Sequence, residues 1–206
     1  QSIAIPFVDG FSTTALVKRI RQPLRKAAFL DRDGVINLDR AYVHRWEDFE
    51  FVPGAIEGMR RLQAAGYALV IVTNQSGLAR GYYTEAQYQA LTQSLLNELK
   101  QQGVQVEGVY HCPHHPKGTV PELARDCDCR KPEPGLVLQA ATELGLSLPD
   151  SILVGDKPSD IEAARAAGVG RAYLVDSDNP ESGSTQVHAD GHFADLLACA
   201  TDIGLL

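Results

Sequence analysis

The chain is poor in several things, and each shortage excludes something. No apolar run among its 206 residues approaches the ~20 needed to cross a bilayer as a helix, so no membrane partner is expected. Positive charge is in the minority: 19 Lys and Arg stand against 26 Asp and Glu, a formal net charge of −7. That balance opposes non-specific binding to nucleic acid or to an anionic membrane. An enzyme acting on nucleic-acid ends is disfavoured for the same reason, while a locally positive pocket for a small anion is not. There is no internal repeat and no low-complexity tract. The only methionine, Met59, is internal. Cysteine is scarce. Of the four, Cys112, Cys127 and Cys129 lie close together and Cys199 sits in a C-terminal apolar stretch. In a cytoplasmic chain, the localisation expected here, such residues are rarely disulfides. Their company of histidines points to a metal instead.

What is present is the composition of a soluble globular protein, 44% hydrophobic and 22% charged, of a length that makes one domain with a substantial core the default. Residues 1–26 form an N-terminal extension of unreadable role. Their apolar part precedes the basic cluster Lys18, Arg19, Arg21, Arg25 and Lys26, the reverse of a secretory signal's order, so a cleaved signal is not expected. Residues 27–206 are read as the single folded domain.

From residue 27 onward strand-like and helix-like segments alternate. Strands are expected over 27–31, 68–73, 108–111, 152–156 and 172–176. The second, fourth and fifth are continuous aliphatic runs, as in strands covered on both faces. Helices are expected over 53–65, 84–102, 133–144, 159–167 and 193–200. Thr84 and Gln87 have the spacing of a capping box, and Gly66, Gly145 and Gly168 stand as stops. Residues 177–191 read as a surface loop. Such alternation specifies an α/β fold: a Rossmann-like parallel sheet with helices on both faces. Ligands of such sheets sit beyond the carboxyl ends of the strands, so the polar strand ends should converge: Asp31 and Asp33, Thr73 and Asn74, and Asp156 with Lys157.

Asp31-Arg32-Asp33-Gly34 is the most informative of these ends. In extended backbone, residues two apart point the same way, so the two carboxylates project together and Arg32 points elsewhere. A divalent cation relieves their repulsion. One ionised carboxylate beside a second that carries a proton suits nucleophilic attack on a phosphoryl group with acid help to the leaving oxygen.

Three further motifs follow in order: Val72-Thr73-Asn74, Arg130-Lys131-Pro132, and Gly155-Asp156-Lys157-Pro158-Ser159-Asp160. Together the four resemble the haloacid dehalogenase-like phosphatase superfamily. The resemblance implies that Asp31 is the nucleophile, Asp33 the acid and then the base, and Asp31, Asp156 and the Asp33 backbone carbonyl the ligands of Mg²⁺. Thr73 would bind the phosphoryl group, helped by backbone N–H groups from Asn74 through Gln75 to Ser76. Lys131 would add positive charge. For Lys157, phosphate contact competes with a solvated surface role. Asp160 reads as a helix N-terminal acid with a second role in supporting the metal.

Cys112-Pro113-His114-His115 and Cys127-Asp128-Cys129 make two paired ligand sets, the pattern of tetrahedral zinc. Cys112, His114, Cys127 and Cys129 are the expected ligands, with His115 and then His111 as competitors. A closed zinc site is structural. This loop, about 111–130, would fix Arg130 and Lys131 over the site. It resembles the D,D-heptose 1,7-bisphosphate phosphatase branch, which shares ancestry with histidinol-phosphate phosphatases. The twelve residues between His114 and Cys127 favour the heptose branch over its shorter-looped relatives. By that resemblance Asp39 and Tyr42 lie on a substrate-facing loop, and Arg130 binds the second phosphate or the sugar. The competing role for Arg130 is a surface ion pair with Asp126 or Asp128. The gaps between motifs leave no room for a large cap, so an open-pocketed monomer is expected. It would act on a small phosphorylated sugar in lipopolysaccharide-core biosynthesis. A histidinol-phosphate phosphatase and a catalytically silent, zinc-stabilised binding protein are the alternatives.

Overall fold

The computed structural model describes residues 24–176 and 188–203. Most of the expected N-terminal extension and most of the expected 177–191 loop lie outside them. The described chain forms strands β1 (Ala27–Leu30), β2 (Ala68–Asn74), β3 (Val106–Cys112), β4 (Ile152–Gly155), β5 (Arg171–Val175) and β6 (Gly191–Phe193). Between and after them run helices α1 (Ala55–Ala64), α2 (Ser76–Ala79), α3 (Glu85–Gln101), α4 (Gly135–Leu144), α5 (Pro158–Ala167) and α6 (Leu196–Ile203). The strands make one parallel sheet in the order β3-β2-β1-β4-β5-β6. No helix among the described residues is long and apolar enough to cross a membrane.

The core shows why these segments are strands. Alternate residues of β1 enter opposite layers. Ala28 and Leu30 pack with Met59 and Leu62 of α1, Leu95 and Leu99 of α3, and Leu196 of α6. Ala27 and Phe29 pack with Leu136 and Val137 of α4 and Ile161 and Ala164 of α5. A side chain as fully enclosed as Phe29 contributes about 1.5–3 kcal/mol of burial. Both faces of the central strands are thus consumed, and only their carboxyl ends remain for chemistry.

The helix boundaries follow local rules. Thr84 and Gln87 form the expected capping box at the start of α3. α1 begins two residues later than expected because Gly54, at φ +82°, takes the left-handed cap position. β6 spans the junction between the expected loop, which ended at 191, and the expected helix, which began at 193, and α6 starts three residues after that 193. Asp195 Oδ1 accepts the Ala198 N–H at that helix start.

Candidate active site

β1 lies between β2 and β4, where the winding of the sheet reverses. Ligands gather at such a switch point. The Asp31 N–H donates to the Val154 carbonyl at 3.0 Å, carrying the β1–β4 ladder one residue beyond the strand. Asp31 Oδ1 then accepts the Arg32 N–H at 2.7 Å.

Lys131 reaches Asp31 from the loop after β3. Its ammonium donates to the Val72 carbonyl at 2.8 Å and forms ion pairs with Asp31 Oδ1 at 3.0 Å and Asp160 Oδ1 at 2.6 Å. Two carboxylates and one carbonyl thus surround a buried ammonium. Burial alone disfavours its charge, but Asp160 and Asp31 outweigh burial and raise its pKa. Asp160 Oδ2 also accepts the Lys157 N–H at 3.0 Å, closing the start of α5. The helix-start role read for Asp160 is therefore present, together with a second one: it holds Lys131.

Asp156 is fully buried beside Asp31. Gly34 makes this approach possible: at φ +90°, any Cβ there would stand 2.3 Å from Asp156 Oδ2. Carboxylate oxygens of Asp31, Asp156 and Asp160 lie within 4.8 Å of one another. Lys157 is not a free surface lysine. It donates to Asp39 Oδ2 at 2.9 Å and lies 3.7 Å from Asp156 Oδ2. Burial opposes its charge, yet Asp156 and Asp31 raise its pKa. The Asp31 carboxyl is pushed up to about 6, first by burial and then by Asp160 and Asp33, against the opposing pull of Lys131 and Lys157. Four carboxylates (Asp31, Asp39, Asp156 and Asp160) thus face two ammonium groups, and the residual negative charge with hard oxygen donors fits a divalent cation such as magnesium.

Asp33 has a different setting. Arg32, expected to point away, folds back onto it. Its Nε donates to Asp33 Oδ2 at 3.2 Å, and its Nη2 donates to both carboxylate oxygens at 2.9 Å. Nη2 also reaches the Val43 carbonyl at 3.0 Å. Asn37 donates to Asp33 Oδ1 at 3.0 Å and Gln75 to Oδ2 at 3.1 Å. The period-two rule fails for Arg32 because β1 ends at Leu30, so alternation has already stopped.

Asp31, Asp33, Asp39, Asp160, Lys131 and Lys157 line a cavity of about 700 Å³ that also receives Thr73, Asn74, Ser76, Tyr42 and Arg130. All the residues expected to bind substrate therefore share one chamber. Two of them have their side chains engaged elsewhere: Asn74 with the Lys131 backbone and Gln75 with Asp33, Thr73 and Tyr83. Three lining residues were not foreseen. They are Arg80, His115 and Tyr83, carried by the segment after β2 and by the loop after β3. Arg80 Nη2 lies 3.1 Å from His115 Nε2. Burial first, then Arg130, Arg80 and Lys117, lowers the pKa of His115. Arg130 forms no ion pair with Asp126 or Asp128 among the described residues, and donates to the His114 carbonyl at 3.4 Å. Tyr42 and Ala41 hold left-handed φ values of 57° and 56°. Asp39 Oδ1 accepting the Ala41 N–H and the Tyr42–Tyr82 edge-to-face contact at 4.6 Å hold that turn.

Beside this chamber lies the cysteine cluster. Cys112, His114, Cys127 and Cys129 each offer a ligand atom within 4.8 Å of the others. The sulfurs stand 3.2 to 3.5 Å apart, and His114 Nδ1 is 3.3 Å from Cys129 Sγ. A tetrahedral zinc with Zn–S bonds of ~2.3 Å spaces its sulfurs about 3.8 Å apart, so a small expansion accommodates that ion. Among the histidines, His114 is the one turned inward. His115 faces Arg80, and His111 packs on Tyr88 and Glu85.

Known proteins resemble this chain over most of its length. The family model described as HAD-hydrolase-like matches residues 128–199. A D-glycero-alpha-D-manno-heptose-1,7-bisphosphate 7-phosphatase of Photorhabdus laumondii is 50% identical over 161 residues, 78% of this chain and 88% of its own. A D-glycero-beta-D-manno-heptose-1,7-bisphosphate 7-phosphatase of Escherichia coli K12 is 49% identical over 164 residues, 80% of this chain and 86% of its own. Among solved structures, a D,D-heptose 1,7-bisphosphate phosphatase from B. bronchiseptica, complexed with magnesium and phosphate, superposes with a TM-score of 0.76. It is 32% identical, over 86% of this chain and 97% of the other. With its motifs gathered at one switch point and relatives matched over most of their length, the chain belongs to the HAD-like hydrolases, in the heptose-1,7-bisphosphate 7-phosphatase family.

Proposed function

We propose that this protein removes the 7-phosphate of D-glycero-D-manno-heptose 1,7-bisphosphate in heptose nucleotide and lipopolysaccharide-core biosynthesis. The observation that carries the reading is the pairing, in one chamber, of a nucleophilic carboxylate with a second cationic region. Asp31 and Lys131 form one end. Arg80 and Arg130 form another, and among the described residues neither guanidinium has a carboxylate partner. Arg80 Nε is buried and unpartnered. Two anion-accepting regions suit a bisphosphate, of which only one phosphate meets the nucleophile.

The residues divide the work in two half-reactions. An Asp31 carboxylate oxygen attacks phosphorus as the sugar O–P bond breaks, and Asp33 gives its proton to the departing sugar oxygen. Asp33, now a carboxylate, takes a proton from water whose oxygen attacks the same phosphorus. That breaks the Asp31 O–P bond and releases phosphate. Thr73 and the backbone N–H groups after it hold the phosphoryl oxygens, and Lys131 stabilises charge on them. Asp31, Asp156 and the Asp33 carbonyl would hold magnesium, which when bound offsets negative charge between the nucleophile and the phosphoryl group. Asp160 has both oxygens committed to Lys131 and to the Lys157 N–H, so it supports the site without ligating. Zinc on Cys112, His114, Cys127 and Cys129 would be structural. The clustered thiols suit a reducing, cytoplasmic compartment.

The relatives named for each anomer match this chain equally well, at 50% and 49% identity. Anomer preference is therefore to be measured. The test compares kcat/KM for both anomers of the heptose bisphosphate and for histidinol phosphate, with magnesium present. A heptose bisphosphate preferred by tenfold or more supports the assignment. Preference for histidinol phosphate overturns it.

A further inference from the structure

Gln75 stands where a substrate-contacting side chain was expected, yet both of its N–H donors and its carbonyl oxygen are engaged by protein. It is buried at the end of β2. Nε2 donates to Asp33 Oδ2 at 3.1 Å and to Thr73 Oγ1 at 2.9 Å. Oε1 accepts the Tyr83 hydroxyl at 2.6 Å. The orientation of the amide is dictated by its neighbours: turned over, it would set Oε1 against the Asp33 carboxylate, oxygen on oxygen. Tyr83 can only donate here, because the amide oxygen has no proton. Burial raises the Tyr83 pKa and keeps that proton in place. The ring is itself fixed, stacked on His44 with centroids 5.0 Å apart and 12° between planes. Gly77 makes the fit possible, since a Cβ there would lie 2.1 Å from the ring.

Two consequences follow for the reacting groups. Thr73 Oγ1 accepts from Gln75, so its own proton is left to point into the cavity toward an anion. Asp33 Oδ2 accepts from Gln75 as well as from Arg32 Nε and Nη2, and Oδ1 accepts from Arg32 Nη2 and Asn37. One amide therefore bonds both the acid and the phosphoryl-binding hydroxyl and ties the orientation of one to the other. We propose that Gln75, aimed by Tyr83, is a positioning residue that aligns Asp33 and Thr73 together. This rests on the reading of Asp33 as the acid that protonates the leaving oxygen.

The test separates proton delivery from general damage by changing the leaving group. A sugar alkoxide needs a proton as it departs; a nitrophenolate needs far less help. Gln75→Met keeps the volume and removes all three hydrogen bonds. We expect it to lose about 100-fold in kcat/KM on the heptose bisphosphate, and less than about tenfold on 4-nitrophenyl phosphate. Tyr83→Phe removes one hydroxyl, keeps the stacked ring, and should show the same bias at smaller size. It carries the test alone if Gln75→Met does not fold. Equal losses on both esters overturn the inference. Asp33→Asn serves as the reference for acid loss. If it shows the leaving-group bias and the Gln75 and Tyr83 variants do not, Gln75 is no positioning residue although Asp33 remains the acid. If Asp33→Asn itself shows no bias, the reading of Asp33 fails and the inference with it.

Discussion

Asn74 grips Lys131 by both of its backbone polar groups. Nδ2 donates to the Lys131 carbonyl at 3.0 Å, and Oδ1 accepts the Lys131 N–H at 3.1 Å. The clamp crosses from the end of β2 to the loop that delivers the lysine, 57 residues later. Asn74→Ala leaves two backbone groups without their partner, which costs about 1–3 kcal/mol each where they are buried. We expect an enzyme that folds with a lowered urea midpoint and a kcat reduced about 10- to 100-fold, with KM less affected. Urea titration and steady-state kinetics on the same preparation check it. A kcat within a factor of two of the parent would show that Lys131 is held without Asn74.

Much of this was legible in the chain. The aliphatic runs that became β2 and β4 are buried on both sides, and that of β5 in large part, as in strands covered by helices. The Thr84–Gln87 box announced α3 because a cap is a local interaction. The convergence of Asp31, Thr73 and Asp156 followed from strand polarity, and the place of Lys131 from the family resemblance. What was missed depends on long side chains and tertiary choice. Arg32 folds back on Asp33 because alternation lapses where β1 ends. Arg80 and His115 reach the chamber from different segments, and no spacing rule joins them. β6 has three residues and a polar flank, too short a stretch to leave a periodic signal.

Asp31→Asn is expected to abolish turnover with the fold intact. It also tests the electrostatics of the metal-free site. The folded Asp31 carboxyl titrates near 6, against an ordinary value of 3.8. Between those values the folded chain binds more protons than the unfolded one, so stability falls as pH rises through the window. At pH 7.5 without magnesium, the ionised carboxylate costs on the order of 1–3 kcal/mol. Asp31→Asn should then be the more stable protein in chelator at pH 7.5. The gap should close toward pH 4, and magnesium should narrow it at pH 7.5 by stabilising the parent. Urea unfolding at both pH values measures this; a variant less stable than the parent at pH 7.5 contradicts it.

Arg80 offers a test of the second anion region. Arg80→Met keeps much of the side chain's length and removes the charge. A charge-assisted contact to phosphate is worth about 1.5–3 kcal/mol, so KM for the bisphosphate should rise roughly 10- to 100-fold. A substrate carrying the 7-phosphate alone should lose little. Equal loss on both would place Arg80 at the reacting phosphate.

The cysteine cluster makes the last prediction. Loop 113–128 has little core of its own. Among its anchors are the N–H groups of Thr119 and Val120 on the Ala79 carbonyl and the Leu123 contact with Leu78, Tyr83 and Tyr88. The ligand set lies at its two ends, and Arg130 and Lys131 follow Cys129 directly. A tetrahedral ion there adds folding energy outright, because the ligands are not gathered in the unfolded chain. Cys127→Ser should therefore lower zinc content well below one per chain and lower the melting temperature by several degrees, about what 1–3 kcal/mol produces in a chain this size. The molecules that stay folded should retain the phosphoaspartate chemistry, with kcat reduced less than tenfold, because no zinc ligand touches the Asp31 oxygens. Atomic emission on the purified variant, thermal melts and active-site titration separate the three quantities. Zinc remaining at one per chain would show that Cys127 is not a ligand. Zinc lost with no change in melting would deny the ion its structural role, and Asn74, Asp160 and the Val72 carbonyl would then be what keep Lys131 over Asp31.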